Sequence, residues 1–193
     1  MSEGRPTIRG IDHIGITVPD IERATEFLVA AFGAEVLYDM AGRPASERND
    51  EADRDSQARL GTRAGTRWAG SRMLRLANGP GIELFEYDDP QQRDPVQASD
   101  LGIQHFAVCV DDIDVARRRI IEAGGTAFEG PTLLPGPEAG ENNKWLYTRA
   151  PWGSLIELTC LPSPQAYEEL TPLRRWLPEE ATETPAAVAA SEE

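Results

Sequence analysis

A chain of 193 residues with 40% hydrophobic content can bury a core as one domain or as two small fused modules. Its 19 basic residues against 33 acidic ones leave a formal charge of −14, which argues against nucleic acid as a partner, because phosphates demand a basic face. No stretch is long and apolar enough for a bilayer span, and Met1–Gly10 lacks the apolar run of a signal peptide, so a cytoplasmic protein without a membrane partner is expected.

Residues 8–18, rich in Ile, Thr and Val, predict a first strand. Asp20 is placed to cap a helix from Ile21 to Phe32, whose Ile21, Ala24, Phe27, Leu28 and Ala31 recur at helical spacing before Gly33 stops it. Ala34–Met40 follows as a strand. Residues 41–70 form a charged insertion, expected as a solvated loop or a pocket wall, with a short helix near Glu51–Leu60. Ser71–Ala77 and Ile82–Tyr87 then read as a hairpin around Asn78-Gly79-Pro80-Gly81.

The second half repeats this plan. Residues 102–110 predict a strand, Asp112 or Asp114 opens a helix that stops at Gly124-Gly125, and strands follow near Ala127, at Trp145–Arg149 and at Leu155–Cys160. Tyr167–Leu177 is expected as a docking helix and residues 178–193 as a disordered tail. Cys109 and Cys160, each inside an apolar run, are expected as buried free thiols.

The repetition is visible in the residues themselves. Gly10-Ile-Asp-His13 and Gly102-Ile-Gln-His105 open the two halves, 105 − 13 = 92 residues apart. Ile82-Glu83-Leu84 and Ile156-Glu157-Leu158 close them. Internal duplication of this kind dictates architecture, here two β-α-β-β-β units. The domain plan that follows is 8–90 with the insertion 41–70, then 101–161, a C-terminal extension 162–177 and the tail 178–193.

His13 and His105 are the chain's only histidines, and both occupy the same position of the repeat. Strand alternation puts Ile11, His13, Gly15 and Thr17 on one face, and Ile103, His105, Ala107 and Cys109 on its counterpart. The opposite faces, Ile14-Ile16-Val18 and Phe106-Val108-Val110, are apolar and suited to a core. Glu83 and Glu157 sit among apolar residues, where an unpaired carboxylate is costly and ligation of a metal removes the cost. Imidazole and carboxylate together suit a divalent ion.

The ordered set His13, Glu83, His105, Glu157 resembles the vicinal oxygen chelate superfamily, which includes glyoxalase I, methylmalonyl-CoA epimerase, extradiol dioxygenases and bleomycin-resistance proteins. The resemblance covers residues 8–160. It implies an α+β fold in which two βαβββ modules form a cupped, barrel-like mixed sheet around a metal. It also implies one divalent ion (Zn, Ni, Co, Mn or Fe(II)) held by His13, Glu83, His105 and Glu157, and a homodimer. Members of the family close such a site within one chain or across two, and the sequence leaves both open.

An intact ligand set resembles the isomerase and lyase branches. These move a proton next to a carbonyl through a metal-stabilised enediolate or enolate, with Glu83 or Glu157 as the base. The expected function is an epimerase or isomerase acting on a small polar ketone, such as a ketocyclitol, or on a thioester. The alternatives are a glyoxalase I-like lyase, an Fe(II) extradiol dioxygenase, and a non-catalytic protein that sequesters a drug or metabolite. Arg63, Arg67, Arg72 and Arg75 are candidates for a basic patch against glutathione or coenzyme A adducts. Trp68, Phe85, Trp145 and Trp152 are candidate pocket walls.

Overall fold

The computed structural model describes residues 9–41, 54 and 57–178. Among the described residues the main elements run in the order β1 (His13–Thr17), α1 (Ile21–Phe32), β2 (Glu35–Ala41), β3 (Arg67–Arg75), β4 (Gly81–Asp88), β5 (His105–Cys109), α2 (Ile113–Glu122), β6 (Thr126–Ala127), β7 (Thr132–Leu133), β8 (Lys144–Arg149) and β9 (Leu155–Cys160). The first sheet is ordered β1-β4-β3-β2 and the second β5-β9-β8-β6, with β7 also on β8. In each sheet the opening strand returns parallel to the closing strand while the other pairs are antiparallel. The fold is thus α+β with two mixed sheets of the expected plan.

The helices begin and end where local chemistry requires. Asp20, in extended conformation, accepts a hydrogen bond from Arg23 N, and Gly33 takes the left-handed conformation (φ 69°) that closes α1. Asp112 does the same for α2, accepting from Asp114 N and Val115 N at 2.9 Å each. The α1 face carrying Ala24, Phe27, Leu28 and Ala31 is buried, as are Ile113, Ala116 and Ile120 of α2. Both pack on the strand residues that alternate away from the histidines, and Leu84, Ile156 and Leu158 are fully buried beneath them.

One core serves both halves. The two helices pack on each other, and Phe27 of α1 meets Trp152, in the turn before β9, edge to face at 5.4 Å. Among the described residues no helix is long and apolar enough to cross a membrane.

Several expectations need correction. β1 and β5 are shorter than the predicted 8–18 and 102–110, because their partners begin only at Gly81 and Leu155, opposite His13 and His105. The predicted helix at Tyr167–Leu177 is absent: a 3-10 turn at Ala166–Glu169 is followed by irregular chain. Pro172 lacks an amide donor and drives Thr171 away from helical angles. β7 was not foreseen, since two residues carry no periodicity. Cys109 is exposed and Cys160 half-buried, both free thiols, so neither is the fully buried group expected. Of the helix expected near Glu51–Leu60, residues 54 and 57–60 are helical and the rest lies outside the described residues, as does the tail from 179.

Phe27→Ala is expected to lower stability by about 3–5 kcal/mol, because it opens a cavity between the halves. The exposed Val29→Ala on the same helix should stay within about 0.5 kcal/mol of the parent in urea unfolding.

Candidate metal centre

The parallel ladder sets the geometry of each candidate pair. His13 opposes Gly81 and Gly15 opposes Glu83, so His13 and Glu83 are diagonal neighbours on one face. The same register places His105 opposite Leu155 and Ala107 opposite Glu157. A Cβ at Gly81 would lie 3.0 Å from Met73 Sδ and 3.5 Å from His13 Cβ, so a larger residue there would displace the Met73 side chain. Both diagonals close: His13 Nε2 lies 3.2 Å from Glu83 Oε2, and His105 Nε2 lies 2.9 Å from Glu157 Oε2.

The two pairs are built alike but supported differently. Glu83, 8% exposed, also accepts a hydrogen bond from Ser71 Oγ at 3.4 Å. The other imidazole nitrogen of His13, Nδ1, is 2.8 Å from the carboxylate of Asp12. The His13 ring is thus held between two carboxylates, Asp12 at Nδ1 and Glu83 at Nε2. In the second sheet the residue before the histidine is Gln104, and the hydroxyl of Tyr147 stands 3.5 Å from His105 Nδ1 instead. Among the described residues Glu157 has His105 as its hydrogen-bonding partner. Burial pushes the Glu157 carboxyl above the ordinary glutamate range, opposed by the nearby His105 and reinforced by the charge of Glu138. Burial and the adjacent glutamate also raise the phenols of Tyr87 (beside Glu83) and Tyr147 (beside Glu157).

Sequence reasoning missed Asp12, Ser71 and Tyr147. Asp12 carried a legible signal, being adjacent to His13 in Gly-Ile-Asp-His. Ser71 and Tyr147 did not, because their relation to the site depends on the register of β3 on β4 and of β8 on β9.

The four candidate ligands are not brought to one point. No group of three or more His, Cys, Asp or Glu side chains able to hold a metal occurs among the described residues. The structure presents two half-sites, each an imidazole with a carboxylate. A cavity of about 450 Å³ between the halves is lined by His105 and by Ile14–Thr17 of β1, but not by His13, Glu83 or Glu157.

The proposed pocket walls separate into two groups. Phe85 stacks on Tyr87 at 6.0 Å and Trp145 meets Tyr147 edge to face at 5.2 Å, all flanking the glutamate-bearing faces. Trp68 opposes Tyr87 in register. Trp152 instead packs on Phe27 and donates to Ser154 Oγ at 2.8 Å, so it joins the halves rather than lining a site.

The four arginines of the expected basic patch are each engaged by carboxylates. Arg63 pairs with Asp89 at 3.3 Å, Arg67 with Asp88 at 3.7 Å, Arg72 with Glu22 at 2.8 Å, and Arg75 with Glu35. Arg72 also binds Asp39 and the buried Thr25, on the helix side of the sheet, and holds the Glu22 carboxyl below its usual range.

Residues 12–143 match the Glyoxalase/Bleomycin resistance protein/Dioxygenase superfamily, and the chain belongs to it. It is 34% identical over 182 residues to a 2-epi-5-epi-valiolone epimerase from Actinomyces sp., across 91% of this chain and 92% of that protein. In fold it is similar to a glyoxalase family protein from Bacillus cereus, with a TM-score of 0.60 and 18% identity over 83% of this chain and 97% of the other. A genomically encoded fosfomycin resistance protein from Listeria monocytogenes, solved with Mn(II), aligns with a TM-score of 0.52 and 19% identity over 86% of this chain and 100% of the other.

The surroundings of Glu157 set the sign of a pH effect in metal-free protein. A raised folded-state value means the fold holds that proton more tightly than the unfolded chain does. The group therefore favours the fold fully below the ordinary value of 4.5, and this contribution is lost as pH rises through the raised value. Glu157→Gln cannot ionise. Its melting temperature relative to the parent should therefore be lowest near pH 4 and climb towards pH 7. A difference that falls over that range would contradict burial as the dominant influence.

Proposed function

We propose that this chain is a metal-dependent epimerase of a compact, neutral, polyhydroxylated ketone, of the kind denoted by the name of its Actinomyces relative. The observation that carries the reading is the identity of 34% across nearly the whole of both chains. The two matched imidazole–carboxylate pairs agree with it. The engagement of Arg63, Arg67, Arg72 and Arg75 by carboxylates favours a neutral substrate over a glutathione or coenzyme A adduct.

The donor set fits a divalent ion. Two imidazole nitrogens and two carboxylates are hard-to-borderline ligands suited to Zn, Ni, Co, Mn or Fe(II), and each His Nε2 already points at a glutamate oxygen. His13, Glu83, His105 and Glu157 would hold it. A bound divalent ion supplies Lewis-acid polarisation of the substrate carbonyl, which acidifies the neighbouring C–H. Asp12 orients the His13 ring through Nδ1. Ser71 steadies Glu83 through a hydroxyl hydrogen bond, so Glu83 is the fixed carboxylate. Glu157 has no such second anchor among the described residues, and burial strengthens its hold on a proton. It is the carboxylate we assign to take the proton from the carbon next to the ketone, exchange it with solvent and deliver a solvent-derived proton to the opposite face. Phe85, Tyr87, Trp145 and Tyr147 would offer aromatic surface to the substrate beside the two glutamates.

Incubation of a cyclic polyhydroxy ketone with the metal-loaded protein in D₂O should place one deuterium at the carbon next to the carbonyl as the epimer forms, followed by NMR. Glu157→Gln should slow this exchange by about 10²–10⁴-fold with the fold intact. Undiminished exchange in Glu157→Gln would remove it as the base. Absence of exchange in the parent, across neutral ketones and with each metal supplied, would overturn the epimerase reading.

A further inference from the structure

The cavity of about 450 Å³ between the halves runs up to the second imidazole–carboxylate pair. His105, whose Nε2 lies 2.9 Å from Glu157 Oε2, forms one wall, and Tyr87, which shares the Glu83 face of β4, forms another. Much of the remaining wall comes from two loops, 61–66 before β3 and 89–96 after β4. Arg63 Nη1 pairs with Asp89 Oδ2 across them at 3.3 Å, and Gln91 N donates to Asp89 Oδ1 at 2.8 Å. The Asp89 side chain lines the cavity while only 8% exposed.

Among the described residues two buried side-chain donors lack a hydrogen-bond partner, Thr66 Oγ1 and Trp68 Nε1. They stand two residues apart where the chain enters β3, and Trp68 opposes Tyr87 in register. Thr66 is 4% exposed and lines the cavity. A buried hydroxyl without a partner is costly, and a native fold that keeps one needs a reason for it. Gln104, half-buried beside His105, also lines the cavity, and its carboxamide has no partner among the described residues.

This set suits a particular ligand chemistry. A threonine hydroxyl and a carboxamide each donate and accept. A carboxylate beside a guanidinium offers an acceptor next to donors, which is what two neighbouring hydroxyls require. The Arg63–Asp89 pair cancels its own charge, so it recognises polarity without calling for an anion. Arg93 adds a charge only from an exposed position.

Resting on the epimerase reading above, we infer that this cavity receives the hydroxyl-bearing part of a neutral polyhydroxylated ring whose carbonyl edge lies against His105 and Glu157. Thr66, Gln104 and the Arg63–Asp89 pair are its specificity determinants. The Thr66 hydroxyl finds its partner on the substrate.

Thr66→Val tests this, because it keeps the shape of the side chain and deletes the hydroxyl. No protein group loses a partner, so the melting temperature should stay level or rise. In the D₂O exchange assay KM for a polyhydroxy ketone should rise about tenfold, with kcat within about twofold of the parent. Asp89→Asn should shift KM in the same direction, and Thr66→Ser, which retains the hydroxyl, should restore it. Across ketones that each lack one hydroxyl, one member should give the parent and Thr66→Val the same KM, identifying the hydroxyl that Thr66 holds. A parental KM in both Thr66→Val and Asp89→Asn would overturn the assignment and leave the epimerase reading standing. A lowered melting temperature in Thr66→Val would mark the hydroxyl as structural and overturn it too. Preference for a phosphorylated ketone, lost in Arg93→Ala, would overturn the neutral class of ligand. Absence of exchange in the parent would overturn the epimerase reading itself and this inference with it.

Discussion

The arrangement depends on one constraint: the first strand of each half returns parallel to, and in fixed register with, the last. β1 on β4 places His13 diagonally from Glu83, and β5 on β9 places His105 diagonally from Glu157. Because side chains alternate, the same register sends Ile14, Ile16, Phe106 and Val108 into a core roofed by the helices. A slip of one residue would exchange the faces, bury the imidazoles under α1 and α2, and expose the core. Hydrophobic burial thus enforces a chemical geometry at no separate cost, and a glycine or alanine opposite each glutamate leaves room for the carboxylate to reach its histidine.

The halves share this frame and diverge in how it is braced. Asp12 and Ser71 secure the first pair, with a carboxylate behind the imidazole and a hydroxyl on the glutamate. The second pair has Tyr147 behind the imidazole and a more loosely held glutamate whose burial favours its protonated form. A duplicated frame carrying one tethered and one freer carboxylate suits a reaction that needs a lasting ligand and a proton carrier. The same economy applies to charge. The acidic excess of the chain engages its own arginines, and Arg72 braces α1 against the first sheet.

Much of this was legible before any coordinates. The Gly-Ile-x-His and Ile-Glu-Leu repeats located the strands that bear the site. Asp20, Gly33 and Asp112 marked helix boundaries that capping chemistry enforces. What stayed hidden depended on long-range register or on chain geometry. Ser71 and Tyr147 reach their partners only through β3–β4 and β8–β9 pairing. Trp152 read as a pocket wall and is instead the aromatic contact that joins the halves. The segment after Tyr167 read as a helix by composition, but Pro172 prevents one. That the four candidate ligands stand as two separate pairs is invisible in a repeat, because the repeat describes each half and not how the halves pack.

The central claim is that imidazoles from both halves bind one divalent ion, and pulsed electron paramagnetic resonance of the Mn(II)-loaded protein tests it most directly. The account predicts nitrogen modulation from two imidazoles on each ion, reduced to one by His13→Ala and equally by His105→Ala. A signal from a single imidazole in the parent, or one that His13→Ala leaves unchanged, would contradict it.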